Sequence, residues 1–156
     1  MEIYTVSLFG HRDIYNLREI DKPLSTIVED LIRQKSYVNF LIGRMGDFDE
    51  YAASIIKGAQ RLHGKDNNEL TLVLPYKISN IEYYEDYYDS ITIPECTVKA
   101  HPTRALILKN RFMVESSDLV IVYVTKNEGG AYLAMKYAEN LGKTIINLAK
   151  RESDDE

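Results

Sequence analysis

Residues 119–124 read Leu-Val-Ile-Val-Tyr-Val, an unbroken apolar run. A strand with one wet face alternates apolar and polar residues, so a run that is apolar throughout fits a strand covered on both faces. Strands of that kind belong to parallel sheets, whose connections are long enough to hold helices. Ile3 to Phe9, Val38 to Ile42, Leu70 to Leu74 (stopped by Pro75) and Thr144 to Leu148 have the same character. Helical spacing fills the gaps. Asp21 to Gln34 carries Leu24, Ile27, Val28, Leu31 and Ile32, with Pro23 expected in the first turn, and Asp47 to Leu62 carries Ala52, Ile55, Ile56 and Ala59. His101 to Ser117 and Gly130 to Leu141, the latter closed by Gly142, are the other long helices. Asn80 to Tyr88 reads as a short tyrosine-rich helix, and Ile91 to Ile93 as a short extra strand limited by Pro94.

The apolar runs end in glycine-bearing turns. Gly10-His11-Arg12 follows the first run, Gly43-Arg44-Met45-Gly46-Asp47 the second, and Asn127-Glu128-Gly129-Gly130-Ala131 the run at 119–124. In parallel α/β sheets ligands bind outside the carboxyl ends of the strands, near the point where strand order reverses. All three turns lie at such ends and are expected to converge on one crevice. The diglycine before the last helix is the expected phosphate cradle, since glycine lets an anion approach the backbone and the free N–H groups of a helix start point at it. Arg12 and the N–H groups around Gly10 and His11 are expected at the same anion. Gly43, Arg44 and Gly46 shape the second loop. Asp47 and Asp49 fit either helix caps or acceptors for ribose hydroxyls. Glu50 is the weak candidate for a catalytic carboxylate.

Further candidates come from elsewhere in the chain. Arg104 and Arg111, seven residues apart, share a helix face and suit bidentate phosphate contact, and Asn110 suits a ribose or base. Pro75-Tyr76, at the end of the third run, is placed to stack on a base. Tyr83 is expected over Tyr87, and Tyr84 over Tyr88, as a packed lid or a partner face.

Composition narrows the function classes. The formal net charge is −5, and the last six residues hold one Arg and four acids. That balance argues against bulk nucleic acid, which needs a basic face, while a single nucleotide needs only a few local donors. Cys96 is the single cysteine, and His11, His63 and His101 lack metal-ligand spacing, so no metal and no cofactor is expected. There is no signal peptide and no long apolar run, so the expectation is a cytoplasmic protein without membrane contact. A homodimer or higher homo-oligomer stays open.

The segments SLFGHR, IGRMGDFDEYAA, LTLVLPY, KNRFMVESSD, LVIVYV and NEGGAYLAMKYA, in that order over residues 3–148, resemble the SLOG superfamily of Rossmann-like nucleotide-binding proteins, and within it the YpsA-like branch. The resemblance implies an α/β, doubly wound Rossmann-like domain over residues 1–150, with a mainly parallel sheet of about five strands and helices on both faces. Residues 151–156 would be an acidic disordered tail. It also implies a pocket for nucleotides or ADP-ribose-type ligands, built from Gly10, Arg12, Gly43, Gly46, Asp47, Arg111, Gly129 and Gly130. The superfamily's LOG-type phosphoribohydrolases carry PGGxGTxxE where this chain reads EGGAYLAMK, without the Pro, the third Gly, the Thr and the catalytic Glu. The second loop is also similar to that of nucleoside deoxyribosyltransferases. The expected function is therefore a sensor or sequestering module that binds a small nucleotide without turnover. The alternatives are an N-glycosidic hydrolase or ribosyltransferase using Glu50, Asp47 or Glu128, and a protein-interaction adaptor that has a vestigial pocket and binds through Tyr83 to Tyr88.

Overall fold

The computed structural model describes residues 2–149. The expected tail at 151–156 lies outside the described residues. In chain order the elements are β1 (Ile3–Gly10), α1 (Arg18–Gln34), β2 (Tyr37–Ile42), α2 (Asp47–His63), β3 (Asn68–Val73), α3 (Ile81–Glu85), β4 (Ser90–Thr92), a 3-10 turn (Glu95–Thr97), α4 (Pro102–Ser116), β5 (Leu119–Tyr123), α5 (Gly130–Asn140) and β6 (Thr144–Asn147). The strands form one sheet in the order β4-β3-β2-β1-β5-β6. Every neighbouring pair is parallel. The sheet thus has six strands rather than about five. The addition is β4, whose residues pair with Thr71, Leu72 and Val73 of β3 before Pro94 ends the run.

Alternate residues of each central strand feed two separate cores. Val6, Leu8, Phe40, Ile42, Leu70, Leu72, Leu119 and Ile121 pack under α1 and α2. Phe9, Leu41, Val73, Val120, Val122 and Val124 pack under α4 and α5. All five residues of β5 are buried, which is why its sequence shows no alternation. One polar seam crosses the second core, where the buried Ser7 hydroxyl bonds the Met113 carbonyl at 2.9 Å and lies 2.5 Å from Ser117 Oγ.

Two helix boundaries differ from the sequence reading by three residues, the others by one at most. α1 begins at Arg18, three residues before Asp21, so Pro23 lies inside the helix and not in its first turn. The cap position is Leu17, whose side chain makes no capping bond. α3 stops at Glu85, so Tyr87 and Tyr88 follow the helix. Tyr84 still meets Tyr88, with ring centroids 6.2 Å apart, but the other ring contacts join sequence neighbours, Tyr83 to Tyr84 and Tyr87 to Tyr88.

Strand order reverses between β1 and β5, because the chain steps from β1 through β2, β3 and β4 on one side and returns on the other. Gly10 sets the geometry at that point. A Cβ there would sit 2.1 Å from Cγ of Phe48, a fully buried side chain of the first turn of α2. Gly10→Ala is therefore expected to cost about 1–3 kcal/mol through overpacking. The measurement is the urea midpoint, and the Phe48→Leu background should recover part of the loss. An unchanged midpoint would mean that the ring swings away freely.

Candidate functional site

The carboxyl ends of β1, β2 and β5 open into a crevice of about 590 Å³, roofed by α4 and by the start of α5. Among the expected residues Gly10, His11, Arg12, Gly43, Asp49, Asn110, Glu128, Gly129, Gly130 and Ala131 line it. All three glycine turns do converge. Its volume falls within the usual range for small-molecule sites.

The loop from β1 is pinned to the loop from β2. Asp47 N–H donates to the Arg12 carbonyl at 2.7 Å, and the Asp47 carboxylate accepts from Ile14 N–H at 3.0 Å. Gly46, with φ +151°, lets this happen: a Cβ there would lie 2.5 Å from Arg12 Cα. Asp47 and Gly46 are thus engaged in holding the Arg12 loop, and neither lines the crevice. Gly46 itself is the cap residue of α2, so neither Asp caps through its side chain. Asp49 does line the crevice, and its Oδ2 accepts from Met45 N–H at 2.9 Å.

Asp49 faces the residue that the sequence reading passed over. Lys109 of α4 is only 5% exposed, yet it lines the crevice. Its Nζ and Asp49 Oδ2 both lean over Gly43, 3.0 and 3.1 Å from where a Cβ would be. Among the described residues the Lys109 ammonium makes no ion pair and no hydrogen bond. Burial pulls its pKa below the ordinary 10.5, and the Asp49 charge opposes that. Burial likewise raises the Asp49 carboxyl above 3.8, against the Met45 N–H and the Lys109 and Arg12 charges. A signal was present in the sequence: Lys109 falls in register with Ala105 and Met113 on the buried stripe of α4. A charge in such a stripe needs a reason. Next to it Asn110 has its Oδ1 buried without a partner, while Nδ2 faces Gly130.

At the start of α5 the first intrahelical bond runs from Leu133 N–H to the Gly129 carbonyl at 3.0 Å. The N–H groups of Gly130, Ala131 and Tyr132 precede it and are the donors a helix leaves over. Gly129 has φ +94°, a conformation that suits glycine. The approach to this turn is clamped twice. Asn147 pairs both amide atoms with the Val124 backbone, at 3.1 and 3.0 Å. His11 Nε2 accepts from Thr125 N–H at 2.9 Å and from Lys126 N–H at 3.3 Å.

The remaining expected residues lie outside the crevice. Arg111 stacks on Tyr137, with Cζ 5.2 Å from the ring centre, and Arg104 is exposed. Arg44 lies over Tyr84 at 5.5 Å. Pro75 is buried and Tyr76 exposed at the end of β3, away from the crevice lining. Glu50 lines a different cleft, described below. Among the described residues no group of His, Cys, Asp and Glu is arranged to hold a metal, and no helix is long and apolar enough to cross a membrane.

No family model matches the chain, and no curated protein matches it. Solved structures do. DNA processing protein A (DprA) from Streptococcus pneumoniae superposes with a TM-score of 0.60 at 15% identity, over 92% of this chain and 49% of that one. DprA from Helicobacter pylori, described for its single-stranded DNA binding mode, gives 0.60 at 13%, over 91% of this chain and 63% of its own. The chain thus spans about half to two thirds of the proteins it superposes on. The expected exclusion of nucleic acid is corrected by the second of these. A protein of this fold binds a single strand, and overall acidity does not report the few local donors that such a contact uses. At this identity the likeness shows the fold: the chain has the Rossmann-like fold found in the DprA proteins.

The His11 clamp gives a pH dependence. Burial, with Lys126 beside it, lowers the His11 pKa from 6.5, and Glu128 opposes the shift. Below pH 6.5 the unfolded chain takes up a proton that the folded one still refuses, so this contribution to stability is complete above that value. It is lost as pH falls toward the folded pKa. The protection factors of the Thr125 and Lys126 amides, corrected for the intrinsic pH dependence of exchange, should fall in that window. His11→Gln, which keeps an acceptor, should flatten the response. Equal protection of both amides at neutral pH and at about pH 5 would rule the clamp out.

Proposed function

We propose that the crevice binds a small nucleotide or nucleotide-derived ligand of the ADP-ribose type by its phosphate, as a sensor or sequestering module, without turnover. One observation carries this reading. Lys109, 5% exposed as a residue and facing Asp49 without a direct ion pair, turns its ammonium onto the same space as the leftover N–H groups of α5. A largely desolvated cation with only one distant carboxylate opposite it is costly, and an anionic ligand lowers that cost. Arg12 lines the same space, and the Asn110 amide oxygen waits for a donor such as a ribose hydroxyl or a base amino group. The YpsA-like resemblance supports the same ligand class.

The case against turnover is one of placement. Cleavage of an N-glycosidic bond needs a carboxylate at the anomeric carbon and a group that assists the leaving base. Glu50 and Asp47 lie outside the crevice. Glu128 is exposed ahead of the diglycine, and Asp49 is tied to Met45 N–H and faces Lys109. A second reading, favoured by the Helicobacter pylori neighbour, is that the phosphate belongs to a single-stranded nucleic acid.

Calorimetry with adenine nucleotides and ADP-ribose tests these readings. Lys109→Met should weaken binding by about 1.5–3 kcal/mol, the usual worth of a charged hydrogen bond. Gly130→Val should fold normally, since the nearest atom to its Cβ is 3.7 Å away, and should lose the ligand. Binding at full strength by both variants would place the ligand elsewhere. Oligonucleotides that bind more tightly with length, with a salt slope near ~0.7 per phosphate, would favour the single strand. Free base released on long incubation and abolished by Asp49→Asn would establish the hydrolase or transferase reading. No thermal shift with any of these ligands would leave the adaptor reading.

A further inference from the structure

A second cleft, of about 600 Å³, opens beside α3 and the start of α2, lined by none of the residues of the first crevice. Tyr83, Tyr84, Tyr87 and Tyr88 form its walls together with Glu50 and Asp86. No lysine or arginine among the described residues lines it. We propose that this cleft binds a small organic cation whose charge sits on an alkylated ammonium group.

The walls carry the argument. A tyrosine ring presents a negative face, and several rings set at angles surround an alkylammonium head better than a hydrated inorganic ion. Tyr83 and Tyr84 meet at 84°, Tyr87 and Tyr88 at 73°, and Tyr84 and Tyr88 at 35°, so the rings form a corner and not a flat stack. A corner suits a compact head more than a planar base. Tyr83 is 74% exposed and Tyr87 38%, so both rings are open to solvent.

Two of these rings already hold cations of the chain. Arg44 lies 5.5 Å from the Tyr84 ring and Lys57 5.1 Å from that of Tyr87, neither of them lining the cleft. The charge inside is of one sign. Glu50 and Asp86 line the space and no basic residue among the described ones does, with Arg44 and Lys57 set against the rings outside the lining, so the groups a ligand would touch favour a cation. The Tyr88 hydroxyl senses the same field: burial first, then Tyr87, Asp49, Tyr84 and Glu50, hold it well above its ordinary pKa of 10.0. This cleft therefore differs in chemistry from the crevice at the strand ends, and the inference does not rest on the nucleotide reading. The occupant proposed is a free small molecule, such as a choline-like compound, whose compact cationic head the ring corner receives.

The test follows backbone amide shifts of residues 50–57 and 81–89 in the full chain. The probes are tetramethylammonium, choline, and the neutral choline analogue in which a tert-butyl group replaces the trimethylammonium head. Both cations are expected to saturate these shifts at millimolar concentration or below, with the neutral analogue at least about 10-fold weaker. Tyr83→Leu with Tyr87→Leu should weaken the cations about 10-fold, Tyr83→Phe should leave them unchanged, and Glu50→Gln should cost about 3-fold. Equal binding of the neutral analogue would overturn the proposal in favour of a merely apolar cleft. So would an adenine nucleotide that moves these amides more strongly than choline, or a trimethyllysine peptide that binds more tightly than any free cation. Failure of both cations to saturate the shifts would overturn it outright, whatever happens at the crevice.

Discussion

The contact of Gly10 with the Phe48 ring fixes where the second helix begins relative to the central strand. With no side chain in between, the first turn of α2 comes down on the end of β1. Asp47 N–H then reaches the Arg12 carbonyl, and the Asp47 carboxylate reaches Ile14 N–H. Arg12 is held at the crevice by backbone bonds on both sides of the close approach. The loops on either side of the reversal are both fixed, the β1 loop to α2 and the β5 loop to Asn147 and, across the reversal, to His11 of the β1 loop. The crevice is the space that these ties leave at the reversal of strand order.

The parts of the fold legible in the sequence are those in which one force dominates. β5 shows itself because every residue is buried and none is free to be polar. The long helices show themselves through one apolar stripe each. β4 is half legible, since its residues are only partly buried and its pairing with β3 depends on a neighbour far along the chain. The start of α1 is hidden because Leu17 offers no capping side chain, and Pro23 is a plausible opening residue that the helix in fact absorbs. The end of α3 is hidden because the tyrosines keep helical spacing after the helix has stopped.

At the crevice, the turns were readable because glycine has few other reasons to follow a buried strand. The cations were not. Arg104 and Arg111 drew attention because they share a helix face, but that face does not line the crevice, and Arg111 lies over Tyr137 instead. Lys109 is hidden among hydrophobic neighbours, where its periodicity marks it as core and its charge marks it as an exception. Such local conflicts between a residue type and its environment point to function. Asn110, read as a ribose or base contact, lies next to it with an unsatisfied oxygen on the lining of the crevice.

The two outer strands of the sheet are its shortest, three residues in β4 and four in β6. An edge strand exposes a row of backbone donors and acceptors that invites another chain to add to the sheet. Here one edge offers almost no length for such pairing, and Pro94, which has no N–H to give, follows two residues after β4 ends. The extra strand that made the sheet six wide therefore acts as a hem. It covers the flank of β3 and leaves on that side only a three-residue border for another chain to pair with.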